Sequence, residues 1–331
     1  MLRRLTACLL ALLMLAAVPA HAAEVADLAI LSQWDERFFE QDFMYTGNHF
    51  RFSGCGPASV ANALIAVLDV TDHDAATAIA RDVLYLLTRD QPNRTRMQIN
   101  HLSYLNFTDP AQIADPRYPA LNQALRDFGG LILYSEKNVT AATLSDTLAK
   151  LNGRKALYHG TLPNSDRWAR ICGMIRVLLD SGREDAMIVL AFQGAGTETT
   201  MGPFRSGTAG HYLSVCVPLR EFCETGAFYV LDSLPRVLDG EDYAPNQLPY
   251  MLKYDFAGPQ TYFGSLRDFN EFFAVDRIKN TIVRVRPIGE ALQAFNAAAE
   301  DERAMDRLEA YLEKYVPFYN TSHILLSLPE K

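Results

Sequence analysis

Ser53-Gly54-Cys55-Gly56-Pro57-Ala58-Ser59-Val60-Ala61-Asn62-Ala63-Leu64-Ile65-Ala66-Val67-Leu68 is the stretch on which the reading of this chain turns. Pro57 suits the first turn of a helix, where the missing N–H would be unpaired anyway. Behind it, Ala58, Val60, Ala61, Leu64, Ile65 and Leu68 give an apolar stripe that spreads around much of the circumference. Such a stripe predicts a helix that is buried on most sides and central to the fold. Cys55 stands at its start between two glycines. Unpaired N–H groups and the positive end of the helix dipole favour a thiolate at such a position. The flanking glycines permit a tight turn and leave room for a substrate carbonyl to approach the backbone. The plain alternative is a buried apolar cysteine that happens to begin a helix.

Working outward, residues 1–22 have the layout of a secretory signal peptide. Arg3 and Arg4 form a basic start, Leu9 to Val18 an apolar run, and Ala20-His21-Ala22 a small-x-small cleavage site. The expected product starts at residue 23 and lies outside the cytoplasm, secreted or periplasmic. No later stretch approaches 18 uninterrupted apolar residues, so no integral membrane segment is expected after signal removal. The chain of 331 residues carries 31 basic and 39 acidic side chains, net -8, and both leader arginines leave with the signal. An acidic remainder argues against nucleic acid as a partner. With 49% hydrophobic and 21% charged residues the composition is that of a globular protein. Cys8 belongs to the leader, which leaves Cys55, Cys172, Cys216 and Cys223, too few for a disulfide scaffold.

Leu28 to Leu31 reads as an extended start, and 33–54 as an aromatic-rich loop. Further helices are expected at Asp74 to Leu87, Tyr118 to Phe128, Ala141 to Leu151 and Ser165 to Ser181, with strands at Gly130 to Tyr134 and Ala186 to Phe192. His211 to Val217 and Ala227 to Leu231 read as a hairpin joined by the polar stretch Pro218 to Gly226. Leu266 to Phe273 is a helical candidate, Asn280 to Val285 a strand, and Glu290 to Lys314 a charged amphipathic helix. Helices first and strands later suggest α+β.

A cysteine nucleophile needs a base, and histidine is the usual one. His49 lies in an uncertain loop, His73 and His101 in polar surroundings, His159 beside Gly160 near a turn, and His323 in the tail. His211 differs, because it opens the apolar strand Tyr212-Leu213-Ser214-Val215-Cys216-Val217. A strand end holds an imidazole more accurately than a loop tip. Asp232 closes the neighbouring strand Phe228-Tyr229-Val230-Leu231, where a carboxylate can orient that imidazole across the hairpin. Cys55, His211 and Asp232 make a nucleophile, base and orienter of acyl transfer.

Ser53-Gly54-Cys55-Gly56-Pro57-Ala58-Ser59 with its helix resembles the nucleophile region of papain-like bacterial peptidases of the bacteriocin-leader-processing type. Gly210-His211-Tyr212 and Tyr229-Val230-Leu231-Asp232-Ser233 resemble their histidine and aspartate motifs, in the same order. The resemblance spans about Leu28 to Pro235. It implies a papain-like α+β fold, an N-terminal helical part with the nucleophile helix packed on a C-terminal antiparallel sheet. The implied organisation is a signal at 1–22, a catalytic domain with an enlarged helical insert at 23–287, and a C-terminal helical extension at 288–331. It also implies a glutamine before the cysteine that donates to the oxyanion: Gln33 is the first choice and Gln41 the second. The implied reaction is hydrolysis of a peptide or amide bond through a thioester, with no cofactor and no metal. The glycine-flanked cysteine resembles phytochelatin synthase as well, an acyltransferase, but that enzyme has its glutamine only a few residues before the cysteine, where this chain has Asn48 and His49. A catalytically silent binding protein on the same fold would be expected to have lost the nucleophile or the base, and neither is lost.

Three further features carry weaker expectations. Cys216 and Cys223 are close enough in sequence to pair as a disulfide in an oxidising compartment. Asp69, Asp72 and Asp74 form an acidic turn without the alternating ligand order of a calcium loop. Gln193-Gly194-Ala195-Gly196 lacks the Lys-Ser/Thr of a phosphate loop.

Overall fold

The computed structural model describes residues 25–32, 55–88, 116–135, 138–162, 167–193, 212–233, 272–279, 281–299 and 321–331. The helices are α1 (Cys55–Val67), α2 (His73–Thr88), α3 (Pro119–Asp127), α4 (Ala141–Leu151), α5 (Arg167–Asp180), α6 (Leu219–Thr225) and α7 (Gly289–Ala299). The strands are β1 (Leu131–Tyr134), β2 (Ala156–Thr161), β3 (Met187–Gln193), β4 (Tyr212–Pro218), β5 (Phe228–Leu231), β6 (Phe273–Lys279), β7 (Ile282–Pro287) and β8 (Thr321–Leu328). All eight join one sheet in the order β1-β2-β8-β3-β4-β5-β7-β6. Among the described residues only the β1–β2 pair is parallel.

The fold is α+β with helices and strands interleaved along the chain. The expected division into an N-terminal helical part and a C-terminal antiparallel sheet does not hold. Three strands precede residue 194, and helices cover both faces of the sheet. The strands explain why: β5 is buried at all four positions and β2 at five of six, so both faces need a cover. Alternation then sorts the side chains. Leu157, Val189, Cys216, Tyr229, Leu231 and Leu325 point to one layer, built from α1, α2, α3 and the segment 25–31. Tyr158, Ile188, Val215, Val217, Val230 and Ile324 point to the other, built from α4, α5, α6 and α7.

Local chemistry sets the helix starts. Asp72 accepts the Ala75 N–H at 2.7 Å, so part of the acidic turn caps α2. Asp82 of α2 reaches α3 and accepts the Leu121 N–H at 2.8 Å, and burial raises its pKa while that bond and one from Ala120 lower it. Thr140 and Thr143 form a reciprocal capping box at α4, which ends on Asn152 in the left-handed region at φ 48°. From residue 57 to 67 α1 has no exposed face, and Ala63, Leu64 and Ile65 are fully buried.

Other expectations are corrected by long-range pairing. The connection between β4 and β5 is not an open loop but holds the short helix α6. Phe273, read as the end of a helix, opens β6, while 266–271 lie outside the described residues. The expected helical extension after residue 287 is helical in α7, yet the chain returns as β8 between β2 and β3. Its end is pinned by buried Arg183, which donates to the Pro329 and Arg154 carbonyls, and by the Lys331 N–H on the Gly153 carbonyl. β8 is therefore an inner strand of the sheet.

Candidate active site

Cys55 is the first residue of α1. One turn further, about 6 Å along the axis, α1 is fastened to β4. Ser59 and Ser214 are both buried, with their hydroxyl oxygens 2.9 Å apart, and the Ser214 hydroxyl also lies 2.9 Å from the Ser59 carbonyl oxygen, to which it donates. Because Ser214 has one hydroxyl hydrogen and spends it on that carbonyl, Ser59 is the donor between the side chains. The clasp joins residues 155 apart in sequence.

A second grip comes from Asn62, which is fully buried. Its Oδ1 accepts the Leu31 N–H and its Nδ2 donates to the Leu31 carbonyl, each at 2.9 Å, as a neighbouring strand would. Ala29 N–H donates to the Val70 carbonyl. The segment 28–32 thus runs antiparallel to α1, from its C-terminal end toward Cys55. Asp232 follows β5, is buried, and donates its N–H to the Thr281 carbonyl at 3.0 Å. Thr281 in turn donates its hydroxyl to the Ile30 carbonyl at 3.1 Å. Since Ser214 pairs with Leu231, and Leu231 with Ile282, the start of β4 and the end of β5 lie side by side. The N-terminus of α1, the start of β4, the end of β5 and the end of the segment 28–32 therefore gather at one end of the sheet.

Of the residues singled out in the sequence, Cys55 and Asp232 sit at this end. His211, Gln33 and Gln41 lie outside the described residues; β4 is described from Tyr212 and the segment before α1 as far as Ser32. The sequence missed three rings nearby. Tyr134 of β1, His159 of β2 and His323 of β8 form a stack, with centroids 5.4 Å apart for Tyr134 and His159 and 6.1 Å for His159 and His323. His159 is fully buried and His323 is 5% exposed. Leu157 and Leu325, two residues from them, belong to the α1 layer, so alternation turns both imidazoles to that layer. Ala191 pairs with His323 on one side and with Ser214 on the other, which places His323 and the serine clasp in one row. Burial lowers the His323 pKa to about 4, so its imidazole is neutral at pH 7. The signals that could have found these residues are the apolar runs Ala156-Leu157-Tyr158 and Ile324-Leu325-Leu326, bounded by Lys155 and His159 and by His323 and Ser327.

The remaining thiols separate from Cys55. Cys216 and Cys223 are not joined, so the possible disulfide between them is not formed, and Cys172 is buried outside any disulfide. Cys216 faces the α1 layer while Cys223 packs against the opposite one, which keeps them apart. Burial pushes the Cys216 thiol up, and burial with Glu184 and Glu224 pushes Cys223 up to about 12, so both stay protonated. Among the described residues no cluster of His, Cys, Asp and Glu could hold a metal ion, and no helix is long and apolar enough to cross a membrane. No protein-family model matches the chain, and neither a curated protein nor a solved structure matches it.

Proposed function

We propose that the protein is an exported cysteine hydrolase of the papain-like kind, cleaving a peptide or amide bond through a thioester on Cys55. His211 takes the thiol proton and returns it to the leaving amine, Asp232 orients the imidazole, and Gln33 donates to the oxyanion. The observation that carries the reading is the Ser59–Ser214 clasp, because it ties the helix begun by Cys55 to the strand that follows His211. Burial of Asp232 beside the start of β4 supports the orienting role. The course of the segment 28–32 supports Gln33 over Gln41, since Gln33 directly follows Ser32 on the way toward Cys55. One requirement is specific. Ser214 bonds to α1 and Cys216 packs in the α1 layer, so strict alternation would aim position 211 away from it. Because β4 pairs regularly with β3 from Tyr212 onward, the reading needs the pleat to break before Tyr212.

The test is product analysis by mass spectrometry after incubating the purified chain with a panel of peptides and amides. New termini should arise with the wild type and vanish with Cys55→Ala. A folded Cys55→Ala protein that keeps the full rate on a verified substrate overturns the reading.

A further inference from the structure

We propose that His323 is a further catalytic residue, whose imidazole N–H donates to the oxygen of the acyl group attacked by Cys55. The proposal rests on the cysteine reading above and adds a group that the sequence placed in the tail.

Four observations lead to it. His323 lies on the sheet face covered by α1, in the row of the serine clasp, two strand spacings or about 10 Å from Ser214. Cys55 is one helical turn from the same clasp. His323 Nδ1 is buried and has no hydrogen-bond partner among the described residues. The ring is held against His159, which is held against Tyr134, so its direction is fixed by packing. A buried polar nitrogen without a partner costs stability, which makes sense if its partner arrives with the substrate.

Neutrality decides the role. An imidazole that stays uncharged at pH 7 offers a hydrogen-bond donor without the cost of a buried charge, and can polarise a carbonyl as it gains negative charge. The titratable groups that the described residues place against it are His159 and, beyond it, Tyr134. In the step itself, Cys55 Sγ bonds to the acyl carbon and the carbonyl π pair moves onto oxygen, which accepts the His323 N–H. No proton leaves His323. When the bond to the leaving group breaks, the pair returns from oxygen to carbon and the leaving group takes its proton from the base.

Two probes of Cys55 separate this role from all others. Acylation by 4-nitrophenyl acetate passes through an oxyanion, whereas alkylation by iodoacetamide displaces iodide without one. With the full chain, both reactions are followed at Cys55 by peptide mass spectrometry. His323→Phe should slow acylation roughly a hundredfold and leave alkylation unchanged. His323→Gln, which keeps a donor, should recover most of the acylation rate. Equal loss in both reactions, or loss in neither, overturns the proposal. Should His323→Phe fail to fold by circular dichroism, the wild type still decides. The His323 ring N–H resonance must move when N-acetylglycinal forms a hemithioacetal on Cys55, and an unmoved resonance overturns the proposal. If Cys55 in the wild type does not acylate at all, the hydrolase reading fails, and this proposal fails with it in a recognisably different way.

Discussion

Two buried polar side chains, Glu221 at one end of the sheet and His323 at the other, are bonded in opposite ways. At the end where α6 joins β4 to β5, Glu221 is 1% exposed and fully engaged. It accepts the Tyr229 hydroxyl at 2.9 Å and the Arg284 Nε at 2.8 Å, with the Arg284 Nη2 2.6 Å away. Burial first, and Glu221 second, push the Tyr229 phenol upward, so it remains the donor of that bond. At the other end, on the face covered by the α1 layer, the buried His323 imidazole has a nitrogen without a hydrogen-bond partner among the described residues. A closed network limits the cost of burying charge, whereas a buried group left unbonded costs stability that packing does not return. The closed end ties α6 to β5 and β7; on the proposal above, the open end is where a substrate would complete the bonding.

The largest effect should come from the closed end. Glu221→Ala leaves Arg284 and the Tyr229 hydroxyl facing a cavity, and should lower unfolding free energy by about 3–5 kcal/mol, read from the urea midpoint. Acylation of Cys55 per folded molecule should be unchanged, because the network lies at the far end from α1's start. A Glu221→Ala protein of unaltered midpoint would mean that the network is ornamental, and the contrast between the two ends would fall.

Next in size is an acid limb that belongs to the open end. An unfolded histidine takes a proton near pH 6.5, whereas His323 in the fold does so near pH 4. Above 6.5 the two states bind equal protons and His323 contributes nothing to the pH dependence. Between 6.5 and 4 only the unfolded chain binds the proton, so stability falls with falling pH, by about 3 kcal/mol in all for so buried a ring. Asp82 works in the opposite direction, since its raised pKa lets the folded state take up a proton first. The difference between wild type and His323→Phe isolates the histidine. The substituted protein should lose less stability between pH 6.5 and 4, and parallel curves would show that the imidazole is already compensated.

These two ends were unequally legible in the sequence. α1 and its cysteine could be read because a proline, a glycine pair and a long apolar stripe mark a buried helix locally. α2, α3, α4 and α5 followed from the same period, and β3, β4, β5 and β7 from apolar runs between turn residues. β2 and β8 were missed for a physical reason. Short apolar runs carry no period that separates strand from buried helix or tail, and nothing within Thr321–Leu328 says that it will pair with β2 on one side and β3 on the other. Those pairings are what turn His159 and His323 from loop and tail residues into buried neighbours. The polar pairing of Glu221 with Arg284 is equally nonlocal, crossing from α6 to β7. Cys55 and Asp232 could be placed beside element boundaries because the glycines, the proline and the ends of apolar runs mark those boundaries locally.

The smallest effect tests whether the clasp belongs to the open end or merely lies near it. Ser214→Ala removes both the hydroxyl that Ser59 donates to and the donor on the Ser59 carbonyl. A single such loss should cost about 1–2 kcal/mol, because a buried hydroxyl is left without a partner. The Ser59→Ala, Ser214→Ala double variant should cost little more than the worse single variant, with a coupling of about 1 kcal/mol between the sites. Stability alone would not distinguish glue from positioning. The clasp fixes how far α1 can slide along β4, and a shift of 1 Å between reacting groups can cost about a hundredfold in rate. Acylation of Cys55 in Ser214→Ala should therefore fall by more than the loss of folded protein accounts for, at a temperature where both variants are fully folded. Alkylation by iodoacetamide should keep its rate, since it asks nothing of β4. If acylation is also unchanged, the serines hold two elements together without aligning them, and the alignment of Cys55 must come from Asn62 and the segment it grips.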